Sequence, residues 1–430
     1  MNKIFYWSPF TTSKIATVKA VINSAGSLNK FFSKNHFKIS IIDAVHEWKD
    51  FEDELKEKKI EIVYLNKNSF FNLFKKDHFE TSIIDAVHEW KDFEDEIKKK
   101  KIDLIYLNKN SFLNSFKKDG FLRSRFAYFY IFFKSFFPLL KILQNKKPDY
   151  LVIHLITSLP LFLFIFKNFK SKLILRISGL PKMTFFRKLL WKLAVKNIYK
   201  ITCPTYGTFQ DLSKFDFLRD KLFVLNDPII NINEIQNSRK RDISINKDLN
   251  YIISNKKFLL SIGRFSRQKN FLFYLKCIPE ILKLDKELCF LFIGQGEDKK
   301  KFLEISNKLN ISDRIFIIDH TKNVHYFMKK AQALVLPSLW EDPGFVIVEA
   351  GYNNCLVVSS NCPNGPSEII ADDGGYLFES NSKNSLIKTI KFFLQDSIEN
   401  KMSKRIILKK RLKKFTSFYH ASKLRNNILS

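Results

Sequence analysis

Short runs of consecutive Ile, Leu, Val and Phe recur along the chain, separated by longer stretches in which apolar residues return every three or four positions. Runs of the first kind read as strands buried on both faces, and their alternation with helical stretches reads as a parallel α/β sheet. In the first half, strands are expected at residues 3–7, 38–42, 150–153, 172–177 and 200–203, with a helix over 13–32 after the first. Residues 228–250 are polar, charged and irregular, the composition of a linker. The alternation then restarts, predicting strands at 258–262, 288–293, 315–318, 333–336 and 356–359 and helices at 271–282, 297–309, 324–331 and 344–352. The pattern predicts two Rossmann-like, doubly wound α/β domains, residues 1–228 and 251–400, facing a cleft, joined by a linker over 229–250. A basic helical stretch at 401–430 is placed to cross back to the first domain.

One feature interrupts this plan. Residues 37–78 recur as residues 79–120 with 10 of the 42 positions changed. Each copy carries a strand, an acidic-to-basic helix (51–59 and 93–101) and a second strand (60–65 and 102–107). Two copies are too few for a solenoid. The segment reads as a tandem duplication with one copy in the ordinary sheet and one appended, and the sequence leaves open which.

Composition narrows the class. With 430 residues, 45% hydrophobic and 27% charged, the chain can bury two ordinary cores. Five scattered cysteines (Cys203, Cys277, Cys289, Cys355 and Cys362), never in a C-x-x-C pair, suit a reducing compartment and give no metal-site pattern. The net charge of +30 fits either an anionic partner or a general lysine bias, and the two weigh evenly. No zinc-finger spacing, helix-turn-helix cue or RNA-binding aromatic motif accompanies it, so nucleic acid is not the expected partner. The start, MNKIFYWSPFTTSK, turns polar too soon for a cleavable signal peptide. The apolar stretches 126–140 and 151–166 both fall short of the ~20 residues that span a bilayer. The first reads as an amphipathic helix in the membrane interface, helped by Arg123, Arg125, Lys134 and Lys141, or as a buried helix of the domain. The expected location is the cytoplasm, peripheral on the inner face of the cytoplasmic membrane.

Two segments carry the candidate chemistry. In SIGRFSRQKN, residues 261–270, a buried strand ends, Gly263 allows a tight exit, and Arg264 and Lys269 stand in the loop beyond it. Ligands of open α/β sheets bind at such strand ends. A forked guanidinium and a point-charge ammonium there suit a diphosphate. In SLWEDPGFVIVEAG, residues 338–351, a strand leads through a Pro-Gly turn into a helix. The backbone N–H groups of Gly344, Phe345 and Val346 at that helix start form a second anion-binding device. Glu341 precedes the helix and Glu349 lies within it, with seven residues between them. Carboxylates so placed accept hydrogen bonds from sugar hydroxyls.

These residues resemble family-4 glycosyltransferases of the GT-B fold, which pair a strand-ending G-R-x-x-x-x-K with an E-x(7)-E element. The phrases FIGQGEDKKKF, LPS, SSNCPNGPSEII and NDPI at 226–229, the last resembling the family's closing strand of the first domain, agree with that pattern. The match in detail covers roughly residues 200–380. The resemblance implies a retaining transfer from a nucleotide-diphosphate sugar without a metal or other cofactor. Arg264 and Lys269 would hold the diphosphate, Glu341 the transferred sugar, Glu349 the ribose, and the amides around Phe345 the sugar or phosphate. The first half departs from the family. SPFTTSK (8–14) stands where many members have a glycine-rich loop, and Ser178 where many have a histidine, with His154 one strand earlier as the alternative. His46, Glu47, His88 and Glu89 in the duplicated segment are left open in the same way.

The basic charge and the family resemblance together imply a cell-surface glycan or lipid-linked acceptor, and the likeness of the CPNGP phrase to that of its relatives implies a UDP-linked sugar, hexose or N-acetylhexosamine. A phosphorylase or synthase acting on a soluble acceptor is a second enzymatic reading. A non-catalytic binder of anionic surfaces or membranes on the same scaffold is the reading of a different class.

Overall fold

The computed structural model describes residues 2–7, 15–32, 37–43, 52–64, 82–83, 103–104, 121–154, 157–230, 232, 235, 251, 253–319, 321, 323–371 and 373–429. Strand β1 (Asn2–Trp7) shows why the apolar runs predict strands: Ile4, Phe5, Tyr6 and Trp7 are each no more than 2% exposed, so both faces of the strand are covered. It pairs in parallel with β2 (Phe37–Asp43) on one side and β6 (Tyr150–Ile153) on the other. With β3 (Glu61–Tyr64), β7 (Lys172–Arg176), β8 (Ile198–Cys203) and β9 (Leu222–Val224) they form a seven-stranded sheet in the order β3-β2-β1-β6-β7-β8-β9.

Helices cover both faces. Against one pack α3 (Phe121–Lys146), α4 (Ser158–Phe166), α5 (Phe185–Ala194) and α6 (Tyr206–Ser213), meeting Phe5, Trp7, Leu151 and Leu175. Against the other pack α1 (Ile15–Phe31) and α2 (Glu52–Glu57), with Ile4, Tyr6, Ile41 and Val152 from the sheet.

The second sheet is also wholly parallel, in the order β12-β11-β10-β13-β14-β15, from β10 (Phe258–Ile262), β11 (Cys289–Ile293), β12 (Ile315–Ile318), β13 (Ala333–Leu336), β14 (Leu356–Ser360) and β15 (Tyr376–Phe378). One face carries α7 (Phe271–Leu284), α8 (Lys299–Lys308) and α12 (Lys383–Gln395). The other carries α9 (Val324–Lys330), α10 (Phe345–Tyr352), α11 (Pro366–Ile370) and α13 (Ile398–Arg411). In both sheets β1 and β10 lie where the strand order reverses, the crevice that open α/β sheets use for ligands.

The structure answers the question that the repeat leaves open. The first copy supplies β2, α2 and β3 of the large sheet, whereas among the described residues β4 (Ser82–Ile83) and β5 (Asp103–Leu104) of the second pair with each other and not with that sheet. The helix expected at 93–101, residues 8–14, most of the linker, and His46, Glu47, His88 and Glu89 lie outside the described residues. Deleting residues 79–120 is therefore expected to leave a folded protein whose thermal unfolding stays cooperative. Loss of the circular-dichroism transition in that variant would show that the second copy is needed.

Two sequence expectations change. NDPI at 226–229 is not a strand. The closing strand is Leu222–Val224, followed by Leu225, whose N–H still reaches Cys203 O at 2.9 Å. Beyond it Asn226 donates a side-chain hydrogen bond to Pro204 O at 2.9 Å and Pro228 has no N–H to continue a ladder. The basic tail is two helices. The first, α13, begins at Ile398, capped by Ser397, and buries Leu408 in the second lobe. Only α14 (Ser417–Asn427) crosses to the first lobe, where it packs on α1. There His420 is fully buried between Asn226 O and Ser24 Oγ, both at 2.8 Å. Because the carbonyl only accepts, Nδ1 carries the proton and Nε2 accepts from the serine. Burial pushes its pKa down to about 4, so the ring is neutral.

Candidate functional site

The loop after β10 is shaped by close backbone approach. Gly263 has φ +153°, its N–H bonds Ile293 O at 3.0 Å, and a Cβ on Gly294 would stand 1.9 Å from Gly263 O. Only glycines allow the first two strand ends of the second sheet to come so near. The loop then turns back, and Lys269 folds its stem over Gly263. Lys269 Nζ reaches Glu341 Oε1 at 2.6 Å. Ser338 Oγ donates to the same oxygen at 2.6 Å. The ion pair is largely removed from water, with the side chains 16% and 5% exposed. Two backbone-anchored bonds hold the loops together: Leu339 N–H to Gln268 O at 2.9 Å and Gln268 Nε2 to Trp340 O at 3.0 Å. Arg264 is exposed on the same loop, its stem against Gly296.

Helix α10 starts from Gly344 with φ +90°, a left-handed conformation that favours glycine, and no side chain caps it. The amides of Phe345 and Val346 form its first turn, directly after the Glu341 loop. Such a helix start offers N–H groups and a positive dipole end to an anion. Glu349 lies half-buried in the same helix. The structure thus gathers Gly263, Lys269, Glu341 and Gly344 around the ends of β10 and β13.

Contacts from the first lobe meet this group. Leu180 N–H donates to Asp342 Oδ2 at 3.2 Å, and Gly179 is so close that a Cβ there would touch the same carboxylate at 2.9 Å. Ser178, half-buried, is therefore in the loop that faces the Glu341 turn. His154 is not: it is 0% exposed at the end of β6, its N–H bonded to Trp7 O at 2.8 Å, and the structure does not open it to the cleft. On a second contact line, Glu368 Oε2 accepts from the N–H groups of Tyr206 (2.7 Å) and Gly207 (3.3 Å) at the start of α6.

Sequence reasoning missed Asp342 and Glu368. Both are read only from what crosses the cleft, although Asp342 stands beside Glu341 in the chain. Burial raises the Asp342 pKa to about 7, opposed by the Leu180 N–H and reinforced by the neighbouring carboxylates of Glu341 and Asp211. Its Oδ1 is buried with no hydrogen-bond partner among the described residues. A carboxyl whose pKa is raised on folding favours the fold while protonated and loses that contribution as pH rises. Asp342→Asn is therefore expected to gain stability relative to the parent between about pH 4 and pH 7, with the gap constant above. Urea unfolding at several pH values checks this, and a pH-independent gap would refute it.

Two parallel, doubly wound sheets meeting across a cleft define a GT-B architecture. Over the whole chain the structure superposes on the Anabaena protein HepE in complex with UDP and glucose, with a TM-score of 0.66, 10% identity and full coverage of both chains. Residues 243–413 match the family model described as glycosyl transferases group 1. Among curated relatives, an uncharacterized glycosyltransferase of Methanocaldococcus jannaschii is 27% identical over 56% of this chain and 62% of its own. The N-acetylgalactosamine-N,N'-diacetylbacillosaminyl-diphospho-undecaprenol 4-alpha-N-acetylgalactosaminyltransferase of Campylobacter jejuni is 25% identical over 53% of this chain and 61% of its own. The match thus spans about three fifths of the length of either relative.

Proposed function

We propose that the protein is a retaining, metal-independent glycosyltransferase that moves a hexosyl or N-acetylhexosaminyl group from a nucleotide-diphosphate sugar, UDP-linked, to a lipid-linked or cell-surface glycan acceptor. The observation that carries this reading is the Lys269–Glu341 pair at 2.6 Å, set between the Gly263 loop and the uncapped start of α10. Arg264, Lys269 and the amides of Phe345 and Val346 bind the diphosphate and stabilise it as it departs. Each well-aimed donor lowers such a barrier by about 2–4 kcal/mol. Glu341, oriented through Oε1 by Lys269 and Ser338, accepts from hydroxyls of the transferred sugar, and Glu349 accepts from the ribose. Ser178 faces the acceptor. Relatives named for diphospho-undecaprenol acceptors favour a lipid-linked substrate here, and so a place at a membrane surface.

Thermal unfolding of the full chain with UDP-, GDP- and ADP-sugars tests the reading, because a bound donor stabilises in proportion to the logarithm of its saturation. A shift with UDP-sugars that is lost in Glu341→Gln is expected, in a variant that unfolds at lower temperature because Lys269 loses its counter-charge but still unfolds cooperatively, the amide oxygen still accepting from Lys269 and Ser338. No shift with any nucleotide sugar would refute the reading and leave the non-catalytic scaffold in its place.

A further inference from the structure

Between residues 121 and 210 the chain carries sixteen Lys or Arg and a single acid, Asp149. This segment alone supplies half of the net charge of +30. It also holds a concentration of large apolar side chains facing solvent. On α3, Phe129, Phe133 and Phe137 recur at every fourth position and are 59%, 71% and 68% exposed, while Ile131, Ser135 and Leu139 are turned into the core. Phe166 at the end of α4 is 74% exposed. On α5, Phe185 and Phe186 are 75% and 80% exposed, and Leu189 and Leu193 extend their side of the helix.

The three helices adjoin. Phe162 of α4 meets Phe132 and Phe136 of α3 with ring centroids 6.0 and 6.2 Å apart, and α4 packs on α5. Arg187, Lys188 and Lys192 are exposed among the α5 apolar residues, and Lys141 continues the α3 row. Isolated exposed Phe residues are ordinary, but exposed apolar residues gathered on adjoining helices and rimmed by charge mark a contact surface. Among the described residues no helix is long and apolar enough to cross a membrane. Mixed Phe and Lys on helices lying side by side fit an interface in which rings enter the acyl boundary and cations meet acidic headgroups.

We infer that α3, α4 and α5 form a docking face for an anionic phospholipid bilayer. The inference adds a surface to the glycosyltransferase reading and rests on it only for its purpose. The chain enters α5 directly from the loop whose Leu180 touches Asp342, so the face adjoins the cleft. A bilayer held there keeps the tail of a lipid-linked acceptor in its own solvent while the headgroup reaches Glu341.

The test is flotation of the full chain with vesicles of phosphatidylcholine alone and of phosphatidylcholine with phosphatidylglycerol. Binding is expected only with the acidic lipid and weakened by salt. Phe133→Ser with Phe137→Ser, and Phe185→Ser with Phe186→Ser, are each expected to lower partitioning by about tenfold or more. Lys188→Ala is expected to lower it about fivefold. Phe392→Ser, which removes an exposed ring (57%) from α12 of the other lobe, leaves it unchanged. All variants replace exposed side chains, so their thermal unfolding and donor-induced shifts match the parent. Absence of binding to acidic vesicles, equal binding by the Phe variants and the parent, or a dimer in gel filtration that the Phe variants dissociate would each overturn the inference. Vesicle binding without any nucleotide-sugar shift would instead sink the enzymatic reading and leave the docking face standing.

Discussion

Lys269→Ala is expected to slow sugar transfer by about two to three orders of magnitude, the cost of one donor aimed at a departing diphosphate. The loss should fall mainly on turnover, because the ammonium gains most as negative charge develops on the leaving group. The same substitution has a second consequence. Glu341 is 5% exposed and, among the described residues, would keep the Ser338 hydroxyl alone as an orienting partner, so the variant should also lose about 3 kcal/mol of stability. The two effects separate in Lys269→Met combined with Glu341→Gln, which removes the charge from both sides. That variant should recover most of the stability and none of the activity. Turnover within tenfold of the parent in Lys269→Ala would remove Lys269 from the site.

The second large effect concerns the fold rather than the chemistry. Arg176, at the end of β7, forms an ion pair with Asp227 in which the two side chains are 5% and 3% exposed. Burial pushes the Asp227 pKa up, and the guanidinium opposes that push. Arg176→Met leaves a buried carboxylate without its cation and is expected to cost about 3–5 kcal/mol. Without Arg176 the carboxyl is raised further, so it supports the fold only while protonated. The deficit relative to the parent should therefore be smaller near pH 5 than at pH 8. Arg176→Met with Asp227→Leu should be close to neutral, since an apolar pair of similar volume commonly replaces a buried ion pair without loss. Arg176 Nη1 already lacks a partner among the described residues, which fits a pair of modest net worth. Chemical denaturation at the two pH values checks each outcome, and a single variant as stable as the parent would refute the argument.

The sheet strands were legible where burial on both faces forces consecutive apolar residues, as in FYW of β1 or the FLFI run of β11. Shorter elements were not. Three-residue strands such as β9 and β15 carry too few positions to show a period, and the NDPI motif next to Leu222–Val224 stands out more in the sequence than that strand does. The end of α12 and the start of α13 were hidden because both are amphipathic and basic, with only the Ser397 cap between them. In the site, Gly263, Lys269, Glu341 and Gly344 are each marked by local motifs whose loops leave neighbouring strands of one sheet, whereas the Lys269–Glu341 ion pair is visible only in the structure. Asp342, Glu368 and Arg176 depend on which distant loop arrives opposite, and a single sequence holds no record of that.

The chain passes between the lobes twice, and the two passages touch. Ile230, just past the first lobe, bridges in parallel to Thr416 at the start of α14, and its N–H bonds Phe415 O at 3.1 Å. Two tethers fastened side by side behave as a door hinge does and not as a cord. A rotation of one half over the other about that line is therefore expected to strain the two tethers less than sliding or pulling apart would.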